Sequence, residues 1–98
     1  MSNNINNSKF DKISQLIEIG EYHKALKLLL LLEKELKHFL IHWYLGHVYF
    51  NLHKYLEAIN QIKKSIDLKS EDSLNLNFLG EIYLEINKPN QAIELFNQ

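Results

Sequence analysis

Cysteine is absent from the 98 residues, so neither disulfides nor thiolate chemistry are open to the chain. Arginine is absent too. All eleven basic side chains are lysine, which removes the planar fork that grips phosphates and base edges in pairs. One proline and three glycines leave few breaks in regular structure. Charge of either sign is not in excess: the formal net charge is −1, which argues against a nucleic-acid partner or an anionic membrane surface. The longest apolar run, Leu28 to Leu32, is closed off by Lys27 and Glu33 and falls far short of the roughly 20 residues a membrane helix needs. Met1 to Asn7 is polar and Asn-rich, without the basic start and apolar stretch of a secretory signal, and a cytoplasmic location is expected. No nucleophile–base pair, glycine-rich phosphate loop or metal signature stands out. Neither catalysis nor a cofactor is expected.

What the chain does have is apolar residues at steps of three and four, the spacing of helices. Leu45, Val48, Tyr49 and Leu52 make one stripe, and Leu56, Ile59, Ile62 and Ile66 the next. Leu76, Leu79, Tyr83 and Ile86 form a third, and Ala92, Ile93 and Phe96 begin a fourth. The pattern predicts an all-α fold of six helices, about 8–19, 22–36, 40–52, 55–68, 73–86 and 89–98. Ser8 with Asp11 resembles a capping box. Gly20 falls at a helix–helix turn, Ser70, Asp72 and Ser73 are each candidate caps, and Pro89 suits a first turn. The junction near Lys37 and His38 has no breaker to mark it.

The stripes repeat. Leu45-Gly46-His47-Val48-Tyr49 returns as Leu79-Gly80-Glu81-Ile82-Tyr83, a shift of 34 residues, and Ala58-Ile59 returns as Ala92-Ile93 at the same shift. Gly20 to Leu26 matches His53 to Ile59 at a shift of 33. The missing residue is expected in the junction near Lys37. A fixed period of this size marks a solenoid, in which each unit buries its apolar face against the next. Gly46, Gly80, Ala58 and Ala92 are small where helices would cross closely. Tyr49, Tyr83 and Phe96 would fill the gaps between them.

The pattern resembles the tetratricopeptide repeat, whose signature runs W-x2-L-G-x2-Y, then A-x3-F, then P. Leu45, Gly46, Tyr49 and Ala58 match in one copy, and Leu79, Gly80, Tyr83, Ala92 and Phe96 in the next. His42 and Leu76 stand at the signature Trp, Ile62 at the first copy's Phe, and Ser70 at the Pro. The first repeat keeps only Gly20, Tyr22, Ala25 and Leu29. The resemblance implies a right-handed α-solenoid of about three helix-turn-helix repeats, about 6–38, 39–72 and 73–98, the last truncated. They make a single domain over 8–98 behind a disordered 1–7.

The resemblance also implies a concave groove lined by the first helix of each repeat, where a partner peptide lies. The residues placed there are Phe10, Ser14 and Ile17; Leu40, Trp43, Tyr44, His47, Phe50 and Asn51; and Leu74, Asn77, Phe78, Glu81 and Glu85. Trp43, His47 and Phe50 lie opposite the packing stripe of their own helix, so they need a second surface to bury them. That surface is either a partner peptide or neighbouring repeats and the N-terminus. A related subgroup clamps the C-terminal carboxylate of Hsp70 and Hsp90 tails with basic and amide side chains. The corresponding Phe10, Ser14, Tyr44, Leu74 and Phe78 supply no such charge, which argues against that ligand. Glu81 and Glu85 point instead to an apolar segment with some positive charge, held by an adaptor or a small chaperone.

Other features compete. His38 and His42 stand four apart, as zinc ligands do on a helix, but no Cys or carboxylate is placed to complete a shell. Leu29 and Leu32 are expected in the core, leaving Leu28 or Leu31 exposed, either packed against the N-terminal tail or as a self-association patch. Ile93 and Phe96 lack a following helix to pack on, which raises two alternatives: a homo-oligomer closed through that end, or the N-terminal regulatory domain of a larger enzyme.

Overall fold

The periodic segments are helices throughout the computed structural model, which describes residues 2–69 and 73–86. They are α1 (Ser2–Glu18), α2 (Tyr22–Glu35), α3 (Phe39–Asn51), α4 (Tyr55–Leu68) and α5 (Ser73–Glu85). Among the described residues there is no strand, and no helix is long and apolar enough to cross a membrane. The sixth expected helix, with Ile93 and Phe96, lies outside the described residues.

Two turns share one device. Gly20 and His53 both have positive φ, 84° and 61°. Each is flanked by the same pair of backbone bonds. The N–H of Glu21 donates to Leu16 and that of Gly20 to Ile17; the N–H of Lys54 donates to Tyr49 and that of His53 to Phe50. This is the Schellman arrangement, which satisfies the last carbonyls of a helix and needs one left-handed residue after it. The α2–α3 junction works differently. His38 caps α3, its Nδ1 accepting the N–H of Leu40 at 3.1 Å, so the ring proton sits on Nε2. Only 36–38 separate α2 from α3, whereas 69–72 separate α4 from α5. The residue missing from the first period is therefore missing here, beside Lys37.

One expected boundary moves. The helix expected to start at Ser8 starts at Ser2, leaving Ser8 and Asp11 inside it. Once a helix is nucleated each added residue gains a bond at little cost, and no residue from Asn3 to Asn7 is a breaker.

Two apolar clusters hold the stack. The first joins Ile13 of α1, Ala25, Leu29 and Leu32 of α2, and Ile41, Leu45 and Val48 of α3. The second joins Ala58, Ile59 and Ile62 of α4 to Phe78, Leu79 and Ile82 of α5. Tyr49 packs on both and is the seam between them. Gly46 faces Ile62: a Cβ added there would lie 2.4 Å from Cδ1 and 2.7 Å from Cγ1. Leu56 does not join its expected stripe. It is 68% exposed, because α4 turns Ala58, Ile62 and Ser65 inward and Leu56 falls on the far side of that arc.

A polar contact replaces part of the apolar seam at α5. Asn75 stands one period after Ile41 and is likewise fully buried. Its Oδ1 lies 3.2 Å from Ser65 Oγ, which also reaches the Phe39 carbonyl at 3.1 Å. Ser65 thereby ties the start of α3 to the start of α5.

The α1 face of the stack has the opposite chemistry. Ile41, Leu45 and Val48 present α3 to α2. The same register on α1, one 33-residue shift earlier, holds Ser8, Lys12 and Gln15, all exposed. Solenoids carry such a polar outer face where the stack ends.

Candidate functional site

Trp43, Tyr44, His47 and Phe50 recur at the spacing of one helical face and leave α3 on the side away from Leu45 and Val48. Rings from the neighbouring helices meet them. Phe10 of α1 stacks on Tyr44 with centroids 6.0 Å apart and also lies 5.6 Å from the His38 ring. Trp43 meets Tyr44 at 5.3 Å and His47 edge-on at 4.1 Å. His47 lies flat on Phe78 of α5 at 3.9 Å. Phe50 closes on Phe78 at 5.6 Å and on Tyr55 at 5.5 Å. The result is one unbroken run of rings from α1 across α3 to α5. It places α1, α3 and α5 side by side, with α2 and α4 behind them.

The run is stepped in depth. Phe78 is 7% exposed and belongs to the second core cluster, so it supports the face from beneath rather than lining it openly. Phe10, Ile17, Leu40, Trp43, Tyr44, His47 and Phe50 are half-buried, and Ser14, Asn51, Asn77, Glu81 and Glu85 are exposed. Asn51 turns back on its own helix, donating to the His47 carbonyl at 2.8 Å. The side chain of Leu74 lies outside the described residues.

Between α1 and α3 the face opens into a cavity of about 380 Å³ lined by Ser14, Ile17, Glu18, Trp43, Tyr44 and His47. Glu18 escaped the sequence reading. It lies one turn after Ser14, and that i+4 spacing was its signal. His47 Nε2 is buried without a hydrogen-bond partner. Burial pushes this histidine down to about 4, so its ring is neutral at physiological pH.

Three of the other four histidines have structural partners. His42 Nδ1 lies 2.8 Å from Gln61 Oε1 and 3.7 Å from Glu33, tying α3 to α4 and α2. His53 Nδ1 lies 2.9 Å from the Tyr55 hydroxyl. His38 is committed to its cap. Among the described residues no three His, Cys, Asp or Glu side chains are placed to hold a metal ion.

The leucine run divides as its spacing predicts. Leu29 and Leu32 are in the core, and Leu31 is 53% exposed. With Lys9, Lys12, Ile13, Leu28, Leu32 and Glu35, Leu31 lines a second crevice of about 310 Å³ on the outer side of α1 and α2. Lys9 and Glu35 pair across it at 3.2 Å.

Residues 42–72 match the family model of the tetratricopeptide repeat. This segment matches one tetratricopeptide repeat. It begins at His42 on α3 and takes in all of α4, the stretch where the signature residues Leu45, Gly46, Tyr49 and Ala58 lie. Among solved structures, MamA 41-end from Desulfovibrio magneticus RS-1 superposes with a TM-score of 0.84 at 22% identity, over 91% of this chain and 51% of that one. The MamA RS-1 ArsTM double mutant gives the same values. The chain spans about half the length of these structures, and the likeness is one of fold. No curated protein matches. An all-helical tetratricopeptide-type stack is a protein–protein interaction architecture.

Proposed function

We propose that this chain is a non-catalytic binding module that takes an apolar segment of a partner protein, with basic character, along the face formed by α1, α3 and α5. The observation that carries the reading is the unbroken run of rings from Phe10 to Phe50, half-buried side chains that pack on the two core clusters and keep part of their surface open to solvent. Aromatic anchors dominate binding hot spots because they remove large apolar area from water at little entropic cost. A partially wet face of this kind is completed by a partner's side chains.

The charge of the face selects the partner. α3 carries neither Lys nor Asp nor Glu, and α5 carries only Glu81 and Glu85. A carboxylate-terminated tail finds no cation there. An apolar segment with a lysine or arginine finds both rings and carboxylates. An adaptor or a small chaperone uses such a face in the same physical way.

The test is selection of displayed random dodecapeptides on the immobilised chain. Enriched peptides rich in apolar residues, whose binding falls at least tenfold with Trp43→Ala in a chain of unchanged helicity, support the reading. Absence of enrichment, or binding indifferent to Trp43→Ala, overturns it.

A further inference from the structure

Among the described residues the lysines are sorted by face. α2 carries Lys24, Lys27 and Lys34, α4 carries Lys63 and Lys64, and Lys37, Lys54 and Lys69 flank them. α1 carries Lys9 and Lys12, and both line the outer crevice, away from α3. The cavity between α1 and α3 has a carboxylate and no cation in its wall. Glu18 makes no ion pair among the described residues.

We propose that this notch holds the side chain of a single lysine or arginine from an extended partner segment, with Glu18 as its counter-charge. The inference rests on the groove reading above and names what one position of that groove takes. Size sets the first limit. About 380 Å³ is at the small end of ligand sites, roughly 300–1,000 Å³, and suits one long side chain rather than an element of structure. Wall chemistry sets the second. Ile17 and the Trp43 ring offer apolar surface for an aliphatic stem. The faces of Trp43 and Tyr44 carry the negative π-density that attracts a cation within about 6 Å. A purely apolar side chain would seal Glu18 away from water without a partner, which is costly. A cation offsets that cost. His47 does not compete for Glu18, because it stays neutral above pH about 4.

The experiment repeats the dodecapeptide selection on the wild-type chain and on Glu18→Gln, an exposed change at the end of α1 that leaves the core untouched. The wild type is expected to enrich Lys or Arg at one fixed position relative to the apolar residues. With Glu18→Gln the apolar positions persist and the basic preference weakens. A synthetic peptide from the wild-type pool then closes a cycle. Replacing its basic residue by norleucine is expected to weaken binding to the wild type roughly fivefold and to weaken binding to Glu18→Gln clearly less, since only the Trp43 and Tyr44 faces then hold the cation. Apolar enrichment without a fixed basic position, or a basic preference undiminished by Glu18→Gln, overturns the notch assignment while leaving the groove in place. No enrichment of any kind overturns both.

Discussion

The imidazole of His47 lies flat against the ring of Phe78, centroids 3.9 Å apart and planes 11° from parallel. One helix from each of two successive repeats meets at this contact, so the same pair joins the repeats and floors the ring-lined face. His47 carries a cost in this position, since its Nε2 is buried without a partner.

That cost has a pH signature. Burial lowers His47 from 6.5 to about 4. Between those values the unfolded chain holds a proton that the folded chain excludes, so acid favours unfolding. Stability is full above pH 6.5, falls as pH drops through the interval, and levels off near 4, a loss of about 3 kcal/mol from this group. His47→Phe keeps the stack and removes both the proton and the unpaired nitrogen. It is expected to stabilise the chain by about 1 kcal/mol at neutral pH and to flatten the decline between pH 6.5 and 4. Urea denaturation across that range checks both. An unchanged slope in His47→Phe would show that another group carries it.

Gly46 and Ile62 are a fitted pair. A Cβ on Gly46 meets two atoms of a fully buried Ile62 at 2.4 and 2.7 Å. Alanine's better helix propensity, worth about 1 kcal/mol, is outweighed by overpacking of about 1–3 kcal/mol. Gly46→Ala is expected to destabilise, and Ile62→Val, which removes the nearer atom, to recover part of the loss. The double mutant should thus be less unstable than the sum of the singles. Additive losses in chemical denaturation would mean that the two side chains do not compete for space.

The two left-handed turns predict opposite outcomes. At Gly20 no atom lies within 4 Å of an added Cβ, yet φ is +84°, so Gly20→Ala is expected to cost about 1 kcal/mol through backbone strain alone. At His53 the strain is already present, at φ 61°. His53→Gly is expected to gain roughly 0.5–1 kcal/mol despite losing the exposed contact with Tyr55. Thermal melts of the two variants should move in opposite directions, and a shift of the same sign in both would contradict the shared turn.

Much of this is legible in the sequence. The return of Leu45-Gly46 as Leu79-Gly80 fixed the unit, because a stack must bury the same face each time, and the 33-residue shift located the short junction at Lys37. The ring face was legible because Trp43, His47 and Phe50 sat opposite a stripe already committed to packing. Depth was not. Phe78 shares its helix face with exposed Asn77 and Glu81, and only the placement of α5 against His47 and Phe50 sinks it. Leu56 read as core because spacing alone does not fix the phase of a helix whose inward arc includes a serine. Ser65 and Asn75 were invisible for the same reason: two polar residues ten apart become buried only when α4 and α5 bring them to 3.2 Å.

Trp43 is the chain's single tryptophan and stands in the middle of the ring-lined face, so its emission reports directly on whether that face docks a partner. A peptide enriched on the wild-type chain, titrated against it, is expected to shift that emission to the blue with saturation. Leu31→Lys, in the outer crevice, should leave the titration unchanged, and Ile17→Asp, in the notch, should abolish it. Binding that leaves Trp43 emission untouched, or that is lost with Leu31→Lys and kept with Ile17→Asp, would place the docking surface elsewhere and contradict the assignment.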